Sequence, residues 1–229
     1  MPRTKRKCPG GYVYHVLNRS NGRLRIFKKP EDFAAFERIL AEGIERFSIR
    51  LTGYCLMSNH WHLLLWPRRE DELSAFMQWV TMTHSHRWHA AHRTVGMGHL
   101  YQGRFKSFPV QSGSHYLTVL RYMEQNPLRA GVVKRSVGWP WSSLAVKMGV
   151  DKEGLRISAG PVALPAKWDK FVDLLPNETD LRKLEVCMSR GRPFGNEAWV
   201  DKTVKEMDLG STLRPRGRPK LTEGTEKCS

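Results

Sequence analysis

Two apolar segments separated by the dipeptide Ser58-Asn59 constrain the fold more than any other feature of this sequence. Ile49 to Met57 and His60 to Trp66 both have the composition of β-strands, and the dipeptide between them predicts a tight turn. The second segment is apolar on both of its alternating faces, which is typical of a central, buried strand. The sequence therefore predicts a pair of strands joined directly to each other.

The neighbouring segments supply the remaining elements of one α+β domain. Tyr12 to Leu17 and Tyr101 to Val110 predict two further strands from their aromatic and β-branched content. Helical spacing of apolar residues predicts helices over Pro30 to Phe47, over Asp71 to about His92, and over Ser114 to Asn126. The order β-α-β-β-α-β followed by a helix is the ferredoxin-like pattern, an antiparallel sheet with helices packed on it.

Composition divides the chain into three parts. Residues 1–150 hold the predicted α+β domain. Residues 151–210 are more polar and are punctuated by Gly and Pro, and they predict a small helical region with two or three short helices. Residues 211–229 are basic and contain proline, so we expect this tail to be disordered when it is free.

The charge balance indicates a polyanionic partner. Lys and Arg total 38 against 22 Asp and Glu, a net charge of +16. Nucleic acid is favoured because each neutralised phosphate releases counterions. No segment approaches the roughly 20 apolar residues of a membrane span, so no membrane partner is expected. The basic Met1 to Lys7 segment lacks a following apolar signal core, and no Cys-x-x-Cys pair occurs, so we expect a cytoplasmic protein with free thiols.

His60-Trp61-His62 is the first candidate for chemistry. Side chains alternate along a strand, so His60 and His62 share a face and can converge on one ion. Neutral histidine is the commonest metal ligand in proteins. The alternative is that both are core histidines bonded to backbone or water, because buried polar groups need partners.

Tyr122 and Asn126 are the second candidate, since residues four apart share one helix face. Tyr122 lies about 200° around the axis from Leu120 and so points away from the apolar stripe of its helix. A tyrosine oxygen can attack a DNA phosphate, and a divalent ion with mixed N/O ligands, Mg²⁺ or Mn²⁺, can position that phosphate. A rim tyrosine and a helix-ending asparagine before Pro127 are the alternatives, and Gln125 is a rival oxygen ligand.

Two longer stretches resemble a known family. Gly53 to Leu65 and Arg121 to Gly131 are similar to the corresponding motifs of the REP-associated tyrosine transposases, which belong to the HUH class of single-tyrosine transposases and relaxases. The similarity continues through Gly98 to Ser107 and Trp139 to Ser143, and covers roughly Tyr12 to Leu144.

The resemblance implies a function and a set of site residues. It implies that residues 1–150 form an HUH-type transposase domain, with His60 and His62 as metal ligands, Tyr122 as nucleophile and Asn126 as the additional polar ligand. It implies a sequence-specific nickase and strand transferase that works through a 5′-phosphotyrosine on palindromic repeats folded as single-stranded hairpins. Members act as monomers or as dimers, and we expect a monomer associated with the bacterial nucleoid.

Basic residues predict where DNA is contacted. Arg19 and Arg23 flank the first turn, and Arg104 and Lys106 lie in a segment whose aromatic and basic residues suit base stacking and phosphate contact on single strands. Ordinary solvated charge is the alternative for each. The tail around Arg214, Arg216 and Arg218 resembles an AT-hook, which places arginine in the narrow A·T minor groove. The four histidines from His84 to His92 are interpreted as surface or DNA-facing residues.

Two other functions stay open. A metal-dependent phosphohydrolase would use water as its nucleophile, but Leu64 stands where a histidine-triad enzyme needs a third histidine. A non-catalytic protein that binds DNA hairpins is the second alternative, although pure binding does not need His60, His62 and Tyr122 together.

Overall fold

The computed structural model describes residues 7–151, 154–174 and 177–214. At its centre is a four-stranded antiparallel sheet with the order β2-β3-β1-β4. The strands are β1 (Val13–Arg19), β2 (Arg50–Met57), β3 (His60–Trp66) and β4 (Lys106–Val110). The predicted α+β fold is confirmed, with β1 and β3 as the central strands.

The predicted hairpin sets the position of β3. Met57 pairs with His60 and Cys55 pairs with His62, while on the other side Leu17 pairs with His62. Neighbouring strands pair with both edges of β3, and its side chains are buried over most of its length in the two apolar cores on either face of the sheet. The prediction of a central and buried strand is confirmed.

Helices α1 (Pro30–Phe47) and α2 (Glu72–Ala91) cover the first face of the sheet. In the first turn of each helix, a carboxylate accepts hydrogen bonds from two preceding backbone N–H groups. In α1, Asp32 accepts from Lys28 and Lys29. In α2, Glu72 accepts from Arg68 and Arg69. The strands present a continuous set of buried apolar side chains to these helices: Tyr14, Val16, Leu51, Tyr54, Leu56, Trp61, Leu63 and Leu65.

Most of the remaining helices lie on the second face. The remaining helices are α3 (Ser114–Glu124), α4 (Asn126–Arg129), α5 (Ser143–Lys147), α6 (Trp168–Asp173), α7 (Glu178–Arg190) and α8 (Glu197–Glu206). The last of them, α8, is followed by Met207, which packs into the core of the first face. Two or three short helices were predicted between Trp168 and Leu209, and α6, α7 and α8 lie there. Trp168, Leu184 and Phe194 belong to the same apolar core as β1 to β4 and α3, so residues from beyond position 150 complete the cover of this face.

The fourth strand is shorter than predicted. Tyr101 forms only an isolated bridge with Ser20, and regular pairing begins at Lys106. Because the neighbouring strand β1 ends at Arg19, the segment 102–105 bends across the end of the sheet instead, with the Gln102 N–H donating to the Arg19 carbonyl. This bend later forms one wall of a cleft.

The third helix also differs at both ends. Its N-cap is Gly113, with a φ of +81°, so Ser114 is the first helical residue and not the predicted cap. At the other end the helical path does not stop at Asn126-Pro127. It continues through α4 to Arg129, because Pro127 lies in the first turn of α4, where its missing N–H breaks no bond.

Three cysteines of the described chain are buried, namely Cys8, Cys55 and Cys187, and Cys228 lies outside the described residues. None of the helices in the described ranges is long and apolar enough to cross a membrane.

Candidate active site

The two histidines of β3 project from the second face of the sheet, which is opposite to the face covered by α1 and α2. Their ring centroids are 5.1 Å apart and the rings are nearly perpendicular. Arg19 of β1 lies directly opposite His60 in the strand register. The alternation of strand side chains predicted the shared face, and the structure shows it.

Each of these rings uses Nδ1 for a protein partner. Nδ1 of His60 is 2.7 Å from Oδ1 of Asn59, and Nδ1 of His62 is 3.0 Å from Nε2 of His15. Within the described chain, Nε2 of each ring has no hydrogen-bond partner. A ring nitrogen that is held on one side and open on the other is the arrangement of a metal-ligating histidine.

His15 is a site residue that sequence reasoning missed. It lies on β1, is completely buried, and its ring stacks on His62 with centroids 5.1 Å apart. Its own Nδ1 is buried and has no partner in the described chain. The only signal in the sequence was a histidine within an apolar strand, and its diagonal contact with His62 depends on the β1–β3 register.

The local environment keeps both candidate ligands neutral. Burial, together with a smaller contribution from the charge of Arg19, lowers the pKa of His60 to about 4. Burial holds the pKa of His62 well below 6.5, with added contributions from His15, His60, Arg19 and Arg129. Neutral imidazole is the form that binds a metal ion.

Helix α3 brings Tyr122 to this pair. The helix approaches β2 closely at Gly53, where an added Cβ would lie 2.7 Å from Leu120 and 2.8 Å from Met123. Tyr122 is half-buried, and its ring centroid is 6.4 Å from that of His62 in an edge-on arrangement. Tyr116 of the same helix is buried in the core, as its place in the apolar stripe predicted.

A buried carboxylate holds α3 in its position against the sheet. Glu124 is fully buried and accepts from the side chains of Ser143, Lys147 and Trp168. Ser143 in turn accepts from the backbone N–H of Tyr54 on β2. The helix that carries Tyr122 is therefore tied to the sheet, to α5 and to α6.

The continued helical path decides between the two amide side chains. Asn126 faces the same cleft as Tyr122, and its Nδ2 is buried without a partner in the described chain. Gln125 points the other way, because its Nε2 donates to the carbonyls of Val172 (2.7 Å) and Leu174 (2.6 Å). Of the two rival ligands, only Asn126 lies where it can reach the histidine pair.

These side chains line one cleft of about 620 Å³. Of the predicted DNA contacts, Arg19, Arg104 and Lys106 line it together with His60, His62, Tyr122 and Asn126. The wall is completed by three residues of α7, Glu185, Met188 and Ser189. No pattern in the sequence indicated this contribution. Arg23 and Arg214 are exposed and do not line the cleft, and Arg216 and Arg218 lie outside the described residues.

Two interpretations of aromatic and histidine residues were wrong. Tyr101 and Phe105 are buried in the core of the first face, so they are not available for base stacking. His84 is buried as well, and its Nδ1 accepts from the Tyr101 hydroxyl at 2.6 Å. His84 lies within α2 on the side of the helix that packs into the core, and the segment after α2 brings Tyr101 and Phe105 back to the same core.

The residues of the cleft would supply only some of the ligands of a divalent ion, so the remaining ligands must come from water or substrate. In the described ranges no group of three or more His, Cys, Asp and Glu side chains is arranged to hold a metal. The two open Nε2 atoms and the Asn126 amide line the same cleft. Only the Oδ1 of Asn126 can bind a cation, and it can turn towards the histidines because Nδ2 has no partner in the described chain that holds the amide in one orientation. Mixed N/O coordination of this kind leaves positions for water and substrate oxygens.

Comparison with known proteins identifies the family. The protein-family model described as transposase, IS200-like, matches residues 10–126, which is just over half of the chain and runs from before β1 to the start of α4. The protein is a member of a transposase family. It belongs to the IS200-like transposases, and the resemblance to tyrosine transposases seen in the sequence is confirmed.

Solved structures provide a fold comparison. A REP-associated tyrosine transposase bound to a REP hairpin matches with a TM-score of 0.54 and 18% identity, covering 72% of this chain and 100% of that chain. A candidate transposase of Deinococcus radiodurans R1 matches with a TM-score of 0.39 and 17% identity, covering 55% of this chain and 97% of that chain. The first of these shares the fold. The search of curated proteins found no significant match.

Proposed function

We propose that this transposase is a metal-dependent, single-tyrosine enzyme that nicks and rejoins single-stranded or hairpin DNA through a 5′-phosphotyrosine intermediate. The observation that carries the proposal is the convergence of Tyr122, the open Nε2 atoms of His60 and His62, and Asn126 in one cleft. The elements that bring them together are far apart in sequence.

The chemical step is a transesterification. The Tyr122 oxygen attacks the phosphorus, the bond from phosphorus to the 3′-oxygen breaks, and the phenolic proton is balanced by the proton that the 3′-oxygen gains through water. The phosphodiester is conserved as a tyrosine ester, so the free 3′-OH of another strand can reverse the step and join elsewhere.

The chain's own residues position the reactants. His60, His62 and Asn126 would hold Mg²⁺ or Mn²⁺, which supplies Lewis-acid polarisation of the scissile phosphate when it is bound. His15 orients His62 through the contact between its Nε2 and Nδ1 of His62. When His62 donates in this contact, its Nε2 keeps the lone pair that a metal ion requires. Arg19, Arg104 and Lys106 give the cleft a positive potential that attracts the DNA backbone.

Palindromic repeats that fold as hairpins are the proposed substrate. The net charge of +16 and the cationic cleft support a nucleic-acid partner, and the solved structure of similar fold was determined with a REP hairpin. We propose that the protein acts as a monomer, because α3 is tied to its own chain through Glu124 and Gln125.

A denaturing-gel assay tests the proposal. Purified protein is incubated with labelled single-stranded hairpin DNA from the flank of its own gene, with and without Mn²⁺ or Mg²⁺. We expect a metal-dependent adduct that survives denaturation, and we expect Tyr122→Phe to eliminate it while hairpin binding persists. Tyr116→Phe is the matched control, because it removes a phenolic oxygen from the same helix at a buried position.

The two alternatives give different results. Cleaved DNA without any covalent adduct would indicate a metal-dependent phosphohydrolase with water as the nucleophile. Tight, salt-sensitive binding without cleavage on every hairpin tested would indicate a non-catalytic hairpin-binding protein. Adduct formation by Tyr122→Phe would show that another residue is the nucleophile.

A further inference from the structure

A cation lies against the proposed nucleophile. The guanidinium carbon of Arg129 is 4.8 Å from the centroid of the Tyr122 ring. Its charge also acts on His62, whose pKa it helps to lower. Arg129 therefore belongs to the same electrostatic environment as the tyrosine and the histidine pair, although sequence reasoning gave it no role.

The position of Arg129 follows from the helical path beyond α3. Backbone bonds from Arg129 N to Gln125 O and from Ala130 N to Asn126 O keep the chain helical across Pro127. Seven residues make nearly two turns, so Arg129 returns to the face that carries Tyr122. Gly131, with a φ of +67°, ends the path directly afterwards. Had the helix stopped at Asn126, this alignment would not exist.

The Arg129 side chain is available for a ligand. It is exposed, and no carboxylate of the described chain forms an ion pair with it. Other exposed arginines differ in this respect: Arg87 is held by Glu42, and Arg135 by Asp169 and Asp173. The Arg129 guanidinium instead lies over the Tyr122 ring, and a contact with a ring face leaves N–H groups of the fork free to donate to a ligand.

We propose that Arg129 is a further catalytic residue, whose guanidinium holds the Tyr122 ring and donates hydrogen bonds to the non-bridging oxygens of the scissile phosphate. Arginine suits this position because its planar fork binds two phosphate oxygens at once while its flat face stacks on an aromatic ring. Negative charge on those oxygens is concentrated as the Tyr122 oxygen attacks, so the interaction strengthens in the transition state. The inference rests on the proposed function, because it requires a tyrosine nucleophile.

The role predicts an effect on rate that exceeds the effect on binding. With saturating enzyme and Mn²⁺, we expect Arg129→Ala to slow single-turnover hairpin cleavage by on the order of 100-fold to 1,000-fold, the usual loss for one transition-state donor. The dissociation constant should change by less than about 10-fold, since one phosphate contact contributes little to total affinity. Arg129→Lys should be intermediate, because it keeps the charge but loses the fork.

A matched control and a rescue test separate this role from others. Arg87→Ala makes the same change in net charge on the opposite side of the molecule and should cleave at the rate of the unmodified protein. Guanidinium chloride at low, non-denaturing concentration should restore part of the cleavage rate of Arg129→Ala and should leave Arg87→Ala unaffected. Thermal unfolding midpoints of both variants show that the fold is retained.

The outcomes distinguish failure of this inference from failure of the proposed function. If the unmodified protein, Arg87→Ala and Arg129→Ala all form the Tyr122 adduct equally fast at saturating enzyme, Arg129 has no catalytic role. If Arg129→Ala in addition binds the hairpin more weakly, Arg129 is only a contact to the DNA backbone. If rate is lost but guanidinium rescues nothing and Arg129→Lys is fully active, the fork geometry is irrelevant and the inference is wrong. If the unmodified protein forms no adduct, the proposed function fails first.

Discussion

On the face covered by α1 and α2, β3 presents Trp61, Leu63 and Leu65, all of them completely buried in an apolar core. On the opposite face the same strand presents His60, His62, Leu64 and Trp66. Leu64 is buried in an apolar core and Trp66 packs against that core, whereas the two histidines do not join it. Helix α3 covers one end of this second face and leaves the other end as a cleft. One strand therefore stabilises the domain with one set of alternating residues and places polar side chains with the other.

The comparison shows why the polar face remains stable. Several buried polar groups beside the cleft are satisfied by each other, as in the contact between His15 and His62, or by anchors such as Glu124 with its three donors. His15 Nδ1 and Asn126 Nδ2 are the exceptions described above, since neither has a partner in the described chain. The apolar face supplies the free energy that allows this arrangement, because burial of large side chains there is uninterrupted. Substitutions at neighbouring positions of β3 should therefore have different consequences.

His62→Ala should give the largest effect on activity. We expect hairpin cleavage to fall by roughly 100-fold or more, because the loss of even an outer partner of a metal ligand commonly costs 10-fold to 100-fold. Hairpin binding should persist, since the cationic residues of the cleft are unchanged. Single-turnover cleavage across a Mn²⁺ titration measures the effect, and full activity at ordinary Mn²⁺ concentrations would contradict the assignment of His62 as a ligand.

Leu63→Ala, one position along the strand, should affect stability instead. Removing this fully buried side chain should lower the free energy of unfolding by about 2–5 kcal/mol. At a temperature where the variant is folded, its cleavage rate should match that of the unmodified protein. Urea unfolding followed by tryptophan fluorescence provides the measurement, and a loss of cleavage in the folded variant would show that the two faces are coupled.

His84→Gln should change how stability depends on pH. Burial lowers the pKa of His84 to about 3, with smaller contributions from His92 and His89. The unfolded chain takes up a proton near pH 6.5 while the folded chain does not, so this contribution is fully present above pH 6.5 and is lost as the pH falls towards 3. In the His84→Gln variant, the slope of the free energy of unfolding against pH should therefore be smaller than in the unmodified protein, by up to about 1.4 kcal/mol per pH unit in that window.

Glutamine is the appropriate replacement at this position because its side-chain oxygen can still accept from the Tyr101 hydroxyl. Urea unfolding at a series of pH values between 7 and 4 gives the slopes. Parallel curves for the variant and the unmodified protein would show that His84 does not contribute to the acid sensitivity of the first face.

Lys106→Gln should give the smallest effect. Loss of one phosphate contact should weaken hairpin binding by about 2-fold to 10-fold and should reduce the slope of log Kd against log salt by about 0.7 to 0.9. Lys202→Gln is the matched control, because Lys202 lies on α8 beside Glu206 and outside the cleft. Equal salt slopes for the two variants would remove Lys106 from the DNA-binding surface.

The sequence predicted well where local patterns carry the information. The bounds of α1 and β3 agree with the prediction, because their apolar periodicity is strong and a proline or a two-residue turn marks their ends. It failed where tertiary contacts override local signals. Segment 101–105 has the composition of a strand, but β1 ends before it can pair along its whole length, and Tyr101 and Phe105 are buried in the core.

The sequence by itself determined the strand and helix order, the shared face of His60 and His62, and the placement of Tyr122 away from the apolar stripe, since each depends on the period of a single element. Only the tertiary structure decided that His15 contacts His62, that Asn126 and not Gln125 enters the cleft, and that Arg129 stacks on Tyr122. The physical reason is that such contacts depend on strand register, on the depth of α3 against the sheet and on a helical path that continues past a proline. None of these is encoded in the spacing of residues within one element.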